Sequence, residues 1–226
     1  MIRLTPQRSS QQGGHRAAEL QQHCRNVLRR LSWPYGNGQP ALRTLGVTSC
    51  LAGEGVTTVA AQLAAAAASF DQQRVLLVDA NLARPMLSRK LGVARDAGLA
   101  DLLAGRVELA DVVHDASNGT HVLPAGQTPP DGGDVFDCPG LPDAARAIGE
   151  QFDLAVVDLP AAEPESPALQ LAPLLNGVLL VVESERVRCD QARRTTALLA
   201  RCDVHLVGAV LNKRKHRGPA WLDPRR

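Results

Sequence analysis

The residues best suited to chemistry lie in one short segment, residues 52–58, which reads Ala-Gly-Glu-Gly-Val-Thr-Thr. A strand-like apolar segment, residues 44–50, precedes it, and an alanine-rich segment with good helix propensity, residues 56–70, follows it. Gly53 and Gly55 let the backbone turn with its N–H groups facing inward, and a helix start adds partial positive charge. The order of strand, glycine loop and helix therefore predicts a phosphate-binding loop.

Nucleotide phosphates are expected to contact this loop and the first helical turn. The predicted binding residues are Gly53, Glu54, Gly55, Val56, Thr57 and Thr58. Thr57 would offer its hydroxyl to Mg²⁺, whereas Val56 occupies the position where a lysine usually reaches the β- and γ-phosphates. The loop is thus a degenerate Walker A motif. The alternative is that the glycines form only a tight connection.

Two apolar segments, residues 74–79 and 152–158, end in Asp79 and Asp158. Both read as buried parallel strands, and open α/β sheets bind ligands at the carboxyl ends of their strands. We expect Asp79 and Asp158 to be the catalytic carboxylates and, with Thr57, to hold Mg²⁺. An aspartate after a strand can also be a helix cap or a turn former.

The alternation of apolar strands and helices predicts one α/β core with a mainly parallel, doubly wound sheet flanked by helices. The chain has 226 residues, 45% of them hydrophobic, which is enough for one domain and needs no second. The predicted organisation is a flexible leader (1–16), an association helix (17–31), a linker (32–43), the P-loop domain (44–212) and a basic tail (213–226).

The net charge limits which partners are expected, and the length of the apolar segments predicts where the protein is located. The formal net charge of +2 and the scarcity of aromatic residues argue against nucleic acid as a main partner. A membrane span needs roughly 20 apolar residues and a signal peptide needs an apolar core; the sequence offers neither, which predicts a cytoplasmic protein. The basic tail is either solvated or rests on an anionic membrane surface.

Further segments form a series along the chain. They are the phosphate loop (52–58), an acidic motif that ends in Ala-Arg-Pro (75–85), a Gly-Leu-Ala-Asp-Leu helix (98–105), a Val-Leu-Pro-Ala-Gly segment (122–126), an Asp-Leu-Pro motif (158–160) and the final two strands (177–182 and 208–212). Together these segments resemble the cytoplasmic domain of the bacterial tyrosine kinases (BY-kinases) of capsule and exopolysaccharide systems.

This resemblance implies a P-loop NTPase-like fold that binds ATP or ADP with Mg²⁺. It implies that Asn212 contacts the adenine and that the helix of residues 17–31 joins subunits into a homo-oligomer. It also implies a partner, either a membrane chain-length-determinant (polysaccharide copolymerase) protein or an active kinase relative, which would hold the chain at the inner face of the membrane.

Three departures from the family pattern predict weak or absent phosphoryl transfer. Val56 replaces the lysine, Asn81 replaces a second aspartate, and the C-terminal tyrosine cluster is missing because Tyr35 is the chain's single tyrosine. Asparagine can orient a group but cannot accept a proton at neutral pH. Arg84, or Arg25 of an adjacent subunit, could supply the missing cation.

Two alternative functions remain open. One is an active protein-tyrosine autokinase or ATPase of the same pathway. The other is a partition-type positioning ATPase, which is disfavoured because such proteins carry an early loop lysine where this chain has Leu51.

Overall fold

Seven strands form a single sheet in the computed structural model, which describes residues 21–31, 42–70, 73–93, 96–127 and 135–213. The strands are β1 (Thr44–Ser49), β2 (Val75–Asp79), β3 (His114–Asp115), β4 (His121–Leu123), β5 (Leu154–Asp158), β6 (Gly177–Glu183) and β7 (Leu206–Asn212). Their spatial order is β3-β4-β2-β5-β1-β6-β7. Every neighbouring pair is parallel except β3 with β4. The mainly parallel sheet predicted from the sequence is confirmed.

Helices connect the strands. They are α1 (residues 21–30), α2 (Val56–Ala68), α3 (Leu87–Leu91), α4 (Leu99–Leu103), α5 (Leu109–Val112), α6 (Leu141–Gln151), α7 (Ala168–Leu171), which a 3₁₀ turn at Ala172–Leu174 extends, and α8 (Cys189–Arg201). No helix in the part of the chain that the structure describes is long and apolar enough to cross a membrane.

The sheet has a hydrophobic core on each face because side chains along a strand alternate between the two faces. On β2, Val75 and Leu77 point into one core while Leu76 and Val78 point into the other. Residues of α1, α2 and α3 cover the first core, and residues of α4 to α8 cover the second. Both faces are therefore covered by helices, as the prediction of a doubly wound sheet requires.

The strand order brings the predicted site residues to one edge of the sheet. β5 lies between β2 and β1, and the parallel register pairs Asp79 with Asp158 and Val47 with Asp158. The loop that follows β1 therefore begins beside the ends of the two strands that carry the carboxylates. This arrangement follows from the parallel pairing, which places all three carboxyl ends at the same edge.

Helix α1 packs against the domain of its own chain. Leu28 is fully buried in the same core as α2, and Arg25 donates two hydrogen bonds to the Ser69 hydroxyl at 3.0 and 2.8 Å. The guanidinium of Arg25 also lies over the Phe70 ring, 5.8 Å from its centroid. The association role stays a prediction, and the leader (1–16), most of the linker (32–41) and most of the basic tail (214–226) lie outside the described residues.

Candidate functional site

The loop between β1 and α2 has the backbone shape of a phosphate cradle. Gly53 and Gly55 have φ angles of 86° and 97°, in the left-handed region that favours glycine. The carbonyl of Gly55 accepts hydrogen bonds from Thr58 N at 3.1 Å and Val59 N at 3.0 Å, which starts helix α2. A Cβ atom at Gly55 would collide with the side-chain amide of Asn212, so this position requires glycine.

The side chain of Glu54 braces this loop from inside the protein. It is fully buried, and its two carboxylate oxygens accept hydrogen bonds from Leu51 N at 2.6 Å and Glu183 N at 2.7 Å. Burial raises the pKa of Glu54, although these two donors and Arg186 act against the rise. The carboxylate thus fixes the loop to the end of β6, and only the backbone N–H of Glu54 remains a candidate to bind phosphate.

Residues that follow β6 and β7 contact the carbonyl groups of the loop, on the side that we call its outer side. Arg186 donates to the carbonyl of Ala52 at 3.0 Å, and Lys213 donates to the carbonyl of Gly53 at 2.8 Å. In a trans peptide the carbonyl and the next N–H point in opposite directions. These contacts therefore turn the N–H groups of Gly53 and Glu54 away from the outer side, as an anion cradle requires.

Asn212 belongs to the same outer support. Its Nδ2 donates to the carbonyl of Glu54 at 2.7 Å, and its Oδ1 accepts a bond from Lys213 N at 2.9 Å. The amide is thus engaged with protein groups at the edge of the loop. Its expected contact with adenine stays a prediction.

The two carboxylates at the strand ends are both buried but differ in their partners. Asp79 accepts hydrogen bonds from the backbone N–H groups of Asn81 (3.3 Å), Met86 (3.1 Å) and Leu87 (3.0 Å). Burial raises the pKa of Asp79, and these donors limit the rise. Asp79 therefore fixes the start of helix α3 as well as facing the site.

Asp158 is the carboxyl group of the site whose oxygens lack hydrogen-bond partners among the described residues. It is 1% exposed, and neither carboxylate oxygen accepts a hydrogen bond from the described residues. Burial raises the pKa of Asp158 to about 7; Thr57 lowers it, Asp79 raises it further and Lys90 lowers it. Thr57 therefore faces Asp158 closely enough to favour its ionised form without completing a hydrogen bond.

This chemistry fits a hydrated Mg²⁺ ion bound together with a nucleotide. A buried carboxylate without a partner requires a cation or a water molecule, and Mg²⁺ usually keeps several waters while using one or two carboxylates and phosphate oxygens. Thr57 and Asp158 would provide the hydroxyl and the carboxylate, with Asp79 beside them. Within the described ranges no group of three or more His, Cys, Asp or Glu side chains could hold a metal alone.

The lysine position of the loop is occupied by a core residue. Val56 is 9% exposed and packs in the core beneath helix α2 with Ala60. Arg84, one suggested replacement, is exposed, and the other, Arg25, is bonded at the opposite end of α2 in its own chain. A cation that contacts the first turn of α2, next to the lysine position, is Lys90, whose Nζ donates to the Thr58 hydroxyl at 2.8 Å.

The sequence reasoning missed Lys90 and the bracing role of Glu54. Lys90 is 32 residues from Thr58 on the short helix α3, and no motif marks it. The available signal was a basic residue on the helix that follows the Asp79 motif, since that helix starts at the site. For Glu54, the signal was an acid between two glycines, where an outward carboxylate would repel phosphate.

Fold and site together define the class: a P-loop NTPase-like α/β domain. The solved kinase domain of the Escherichia coli tyrosine kinase Etk is similar to this chain, with 27% identity, a TM-score of 0.73, and coverage of 79% of this chain and 70% of that one. The septum site-determining protein MinD of Pyrococcus horikoshii, solved with Mg-ADP, has 25% identity, a TM-score of 0.64, and coverage of 79% and 74%.

Sequence comparisons identify the family. Residues 42–207 match the family model described as cellulose biosynthesis protein BcsQ. The tyrosine-protein kinase YwqD of Bacillus subtilis is 30% identical over 77% of this chain and 73% of its own length. The chain belongs to the bacterial tyrosine kinase family and corresponds to the P-loop domain of its members. In longer members the matching region covers 21% of their length.

Proposed function

We propose that this chain is a nucleotide-binding regulator of exopolysaccharide or capsule synthesis that transfers phosphate weakly or not at all. One observation carries the proposal. Gly53 and Gly55 have left-handed backbone angles and buried Asp79 and Asp158 end the neighbouring strands, while buried Val56 stands at the position where a loop lysine would neutralise phosphate charge. The ligand would be ATP or ADP with Mg²⁺, which supplies positive charge between the phosphates and the protein.

Binding and catalysis should respond differently to the missing lysine. Backbone N–H groups, the Thr57 hydroxyl and the Asp158 carboxylate all act on the bound ground state. Removing one preorganised transition-state group costs about 10²–10³-fold in rate, and phosphoryl transfer depends almost wholly on such groups. The chain therefore keeps a ligand site but has lost much of its rate enhancement.

Family membership supports the cellular role. The matching family model describes a cellulose biosynthesis protein, and the relatives named above include tyrosine kinases. We extend this to a cytoplasmic protein that works at the inner membrane face with a chain-length-determinant protein or an active kinase relative. Deleting its gene should change the amount or chain length of the cell's exopolysaccharide; unchanged polymer would contradict the role.

Calorimetric titration of ATP with Mg²⁺ tests the binding site. The wild-type protein should bind, and Asp158→Ala should abolish or strongly weaken binding. Circular dichroism should show that the variant is still folded. Asp137→Ala, which removes an exposed carboxylate, is the matched control and should bind normally. Wild-type protein that fails to bind would mean that the fold serves as a scaffold without nucleotide.

Restoring the lysine tests the catalytic part. Val56→Lys should raise ATP turnover by about 10²-fold or more, since it returns a transition-state cation. Val56→Met is the control, because a methionine side chain is about as long as a lysine side chain but carries no charge. This variant should leave ATP turnover low. Robust wild-type turnover that Val56→Lys barely increases would instead favour an active autokinase or ATPase.

A further inference from the structure

Lys90 reaches the phosphate loop from a different element, helix α3. Its ammonium donates to the Thr58 hydroxyl at 2.8 Å, and Thr58 lies in the first turn of α2, where the N–H groups of a helix point at an anion. The residue before it, Thr57, faces Asp158, whose buried oxygens accept no hydrogen bond from the residues that the structure describes. Lys90 therefore lies beside the start of α2 and close enough to Asp158 to act on its charge.

The position of Lys90 is fixed by the site itself. Asp79 accepts hydrogen bonds from the N–H groups of Met86 and Leu87, which anchors the start of α3 beside β2. Lys90 follows in the same five-residue helix. The carboxylate that faces the nucleotide site thus also sets the direction from which this lysine approaches it.

Two further cations among the described residues, Arg186 and Lys213, contact the loop in a different way. Arg186 and Lys213 each form an ion pair with Glu183 at 3.0 Å, and they donate to loop carbonyls from the outer side. Lys90 instead bonds to a neutral hydroxyl, and its side chain is exposed. A lysine ammonium sits on a flexible four-carbon stem, so it can exchange a hydroxyl for a phosphate oxygen at little cost.

We propose that Lys90 binds the nucleotide phosphates in place of the absent loop lysine. The Lys90 ammonium leaves the Thr58 hydroxyl and pairs with phosphate oxygens when a nucleotide enters. The inference rests on the proposed function, because it assigns a phosphate-binding residue to the same site. It explains how a loop with Val56 still holds a polyphosphate: the positive charge comes from α3 instead of from the loop.

Calorimetry with ATP and adenosine, both in the presence of Mg²⁺, tests the assignment. Lys90→Met should weaken ATP binding about tenfold or more, the effect of losing one charge-assisted hydrogen bond, and should leave the affinity for adenosine unchanged. Lys90→Arg should retain most of the ATP affinity. Arg89→Met is the matched control, since Arg89 is exposed on the same helix.

The outcomes separate this inference from the proposed function. Wild-type protein that does not bind ATP overturns the proposed function. Wild-type binding that Lys90→Met leaves intact overturns only the role of Lys90. Equal losses for ATP and adenosine also overturn it, because a phosphate contact cannot weaken a ligand that lacks phosphate.

A double-mutant cycle asks whether Lys90 replaces the loop lysine. In the Val56→Lys background, Lys90→Met should cost much less ATP affinity than in the wild-type background, because the restored lysine supplies the same charge. An equal cost in both backgrounds would show that Lys90 acts independently of the missing loop lysine and would overturn the replacement.

Discussion

Replacing Glu54 by alanine should destabilise the protein through the phosphate loop. The Glu54 carboxylate is fully buried and accepts two backbone hydrogen bonds, from Leu51 at 2.6 Å and Glu183 at 2.7 Å. A buried donor left without a partner costs about 1–3 kcal/mol, so two donors give about 2–6 kcal/mol. Water that enters the vacated space would bring the loss toward the lower limit.

Thermal unfolding followed by circular dichroism measures this loss. For a domain of this size, 1 kcal/mol shifts the Tm by about 2–4 °C, so Glu54→Ala should lower it by at least about 4 °C. Glu54→Gln should fall between wild type and Glu54→Ala, because it keeps one acceptor oxygen. Glu163→Ala, which removes an exposed carboxylate, should change stability by less than about 0.5 kcal/mol.

Hydrogen exchange distinguishes a loss of stability in the phosphate loop from a loss of stability in the whole domain. If Glu54 braces the loop, the amides of Leu51 and Glu183 should exchange faster in Glu54→Ala than in the wild-type protein. An alanine variant with the wild-type Tm and wild-type exchange at both amides would refute the reasoning.

Three further changes have expected outcomes. Burial alone would raise the pKa of Asp101, but hydrogen bonds from Arg106 and from two backbone N–H groups lower it. The stability that these hydrogen bonds give is therefore present above pH 3.8 and is lost as the pH falls through the lowered pKa. Urea unfolding should show Asp101→Asn about 1–3 kcal/mol less stable at pH 7, with the deficit shrinking near pH 3.5; a constant deficit would contradict this. Gly46→Val should lower the free energy of unfolding in urea by about 1–3 kcal/mol, because even a Cβ atom at this position would lie 2.7 Å from Leu175 Cδ1. A variant with wild-type stability would show that the core has room for the side chain. Burial raises the pKa of Cys24 to about 11, so iodoacetamide at pH 8 should label it, by peptide mass spectrometry, only after denaturant is added; rapid native labelling would show that α1 is undocked.

The fold could be predicted because its signals are local. The apolar runs that end in Asp79 and Asp158, and the glycine loop before an alanine-rich helix, each specify a strand end or a helix start without reference to distant residues. Parallel pairing then determines that these ends meet. The same reasoning placed Thr57 beside Asp158, where the structure also has it.

The details of the site depend on contacts that sequence spacing does not encode. Glu54 turns inward because the end of β6 offers it a backbone N–H from Glu183, 129 residues later. Lys90 meets Thr58 because Asp79 anchors α3 beside α2. Side-chain direction in such cases is decided by tertiary packing, and a single sequence carries no periodic signal for it.

The support of the phosphate loop from β6 and β7 has a consequence for biosynthesis. The loop leaves the ribosome well before its supports, because Glu183, Arg186, Asn212 and Lys213 are made more than 120 residues later. A nascent chain therefore carries the motif long before it carries the cradle. The cradle is complete only in molecules whose strand β7 has been synthesised and docked, so the final shape of the loop reports a completed sheet.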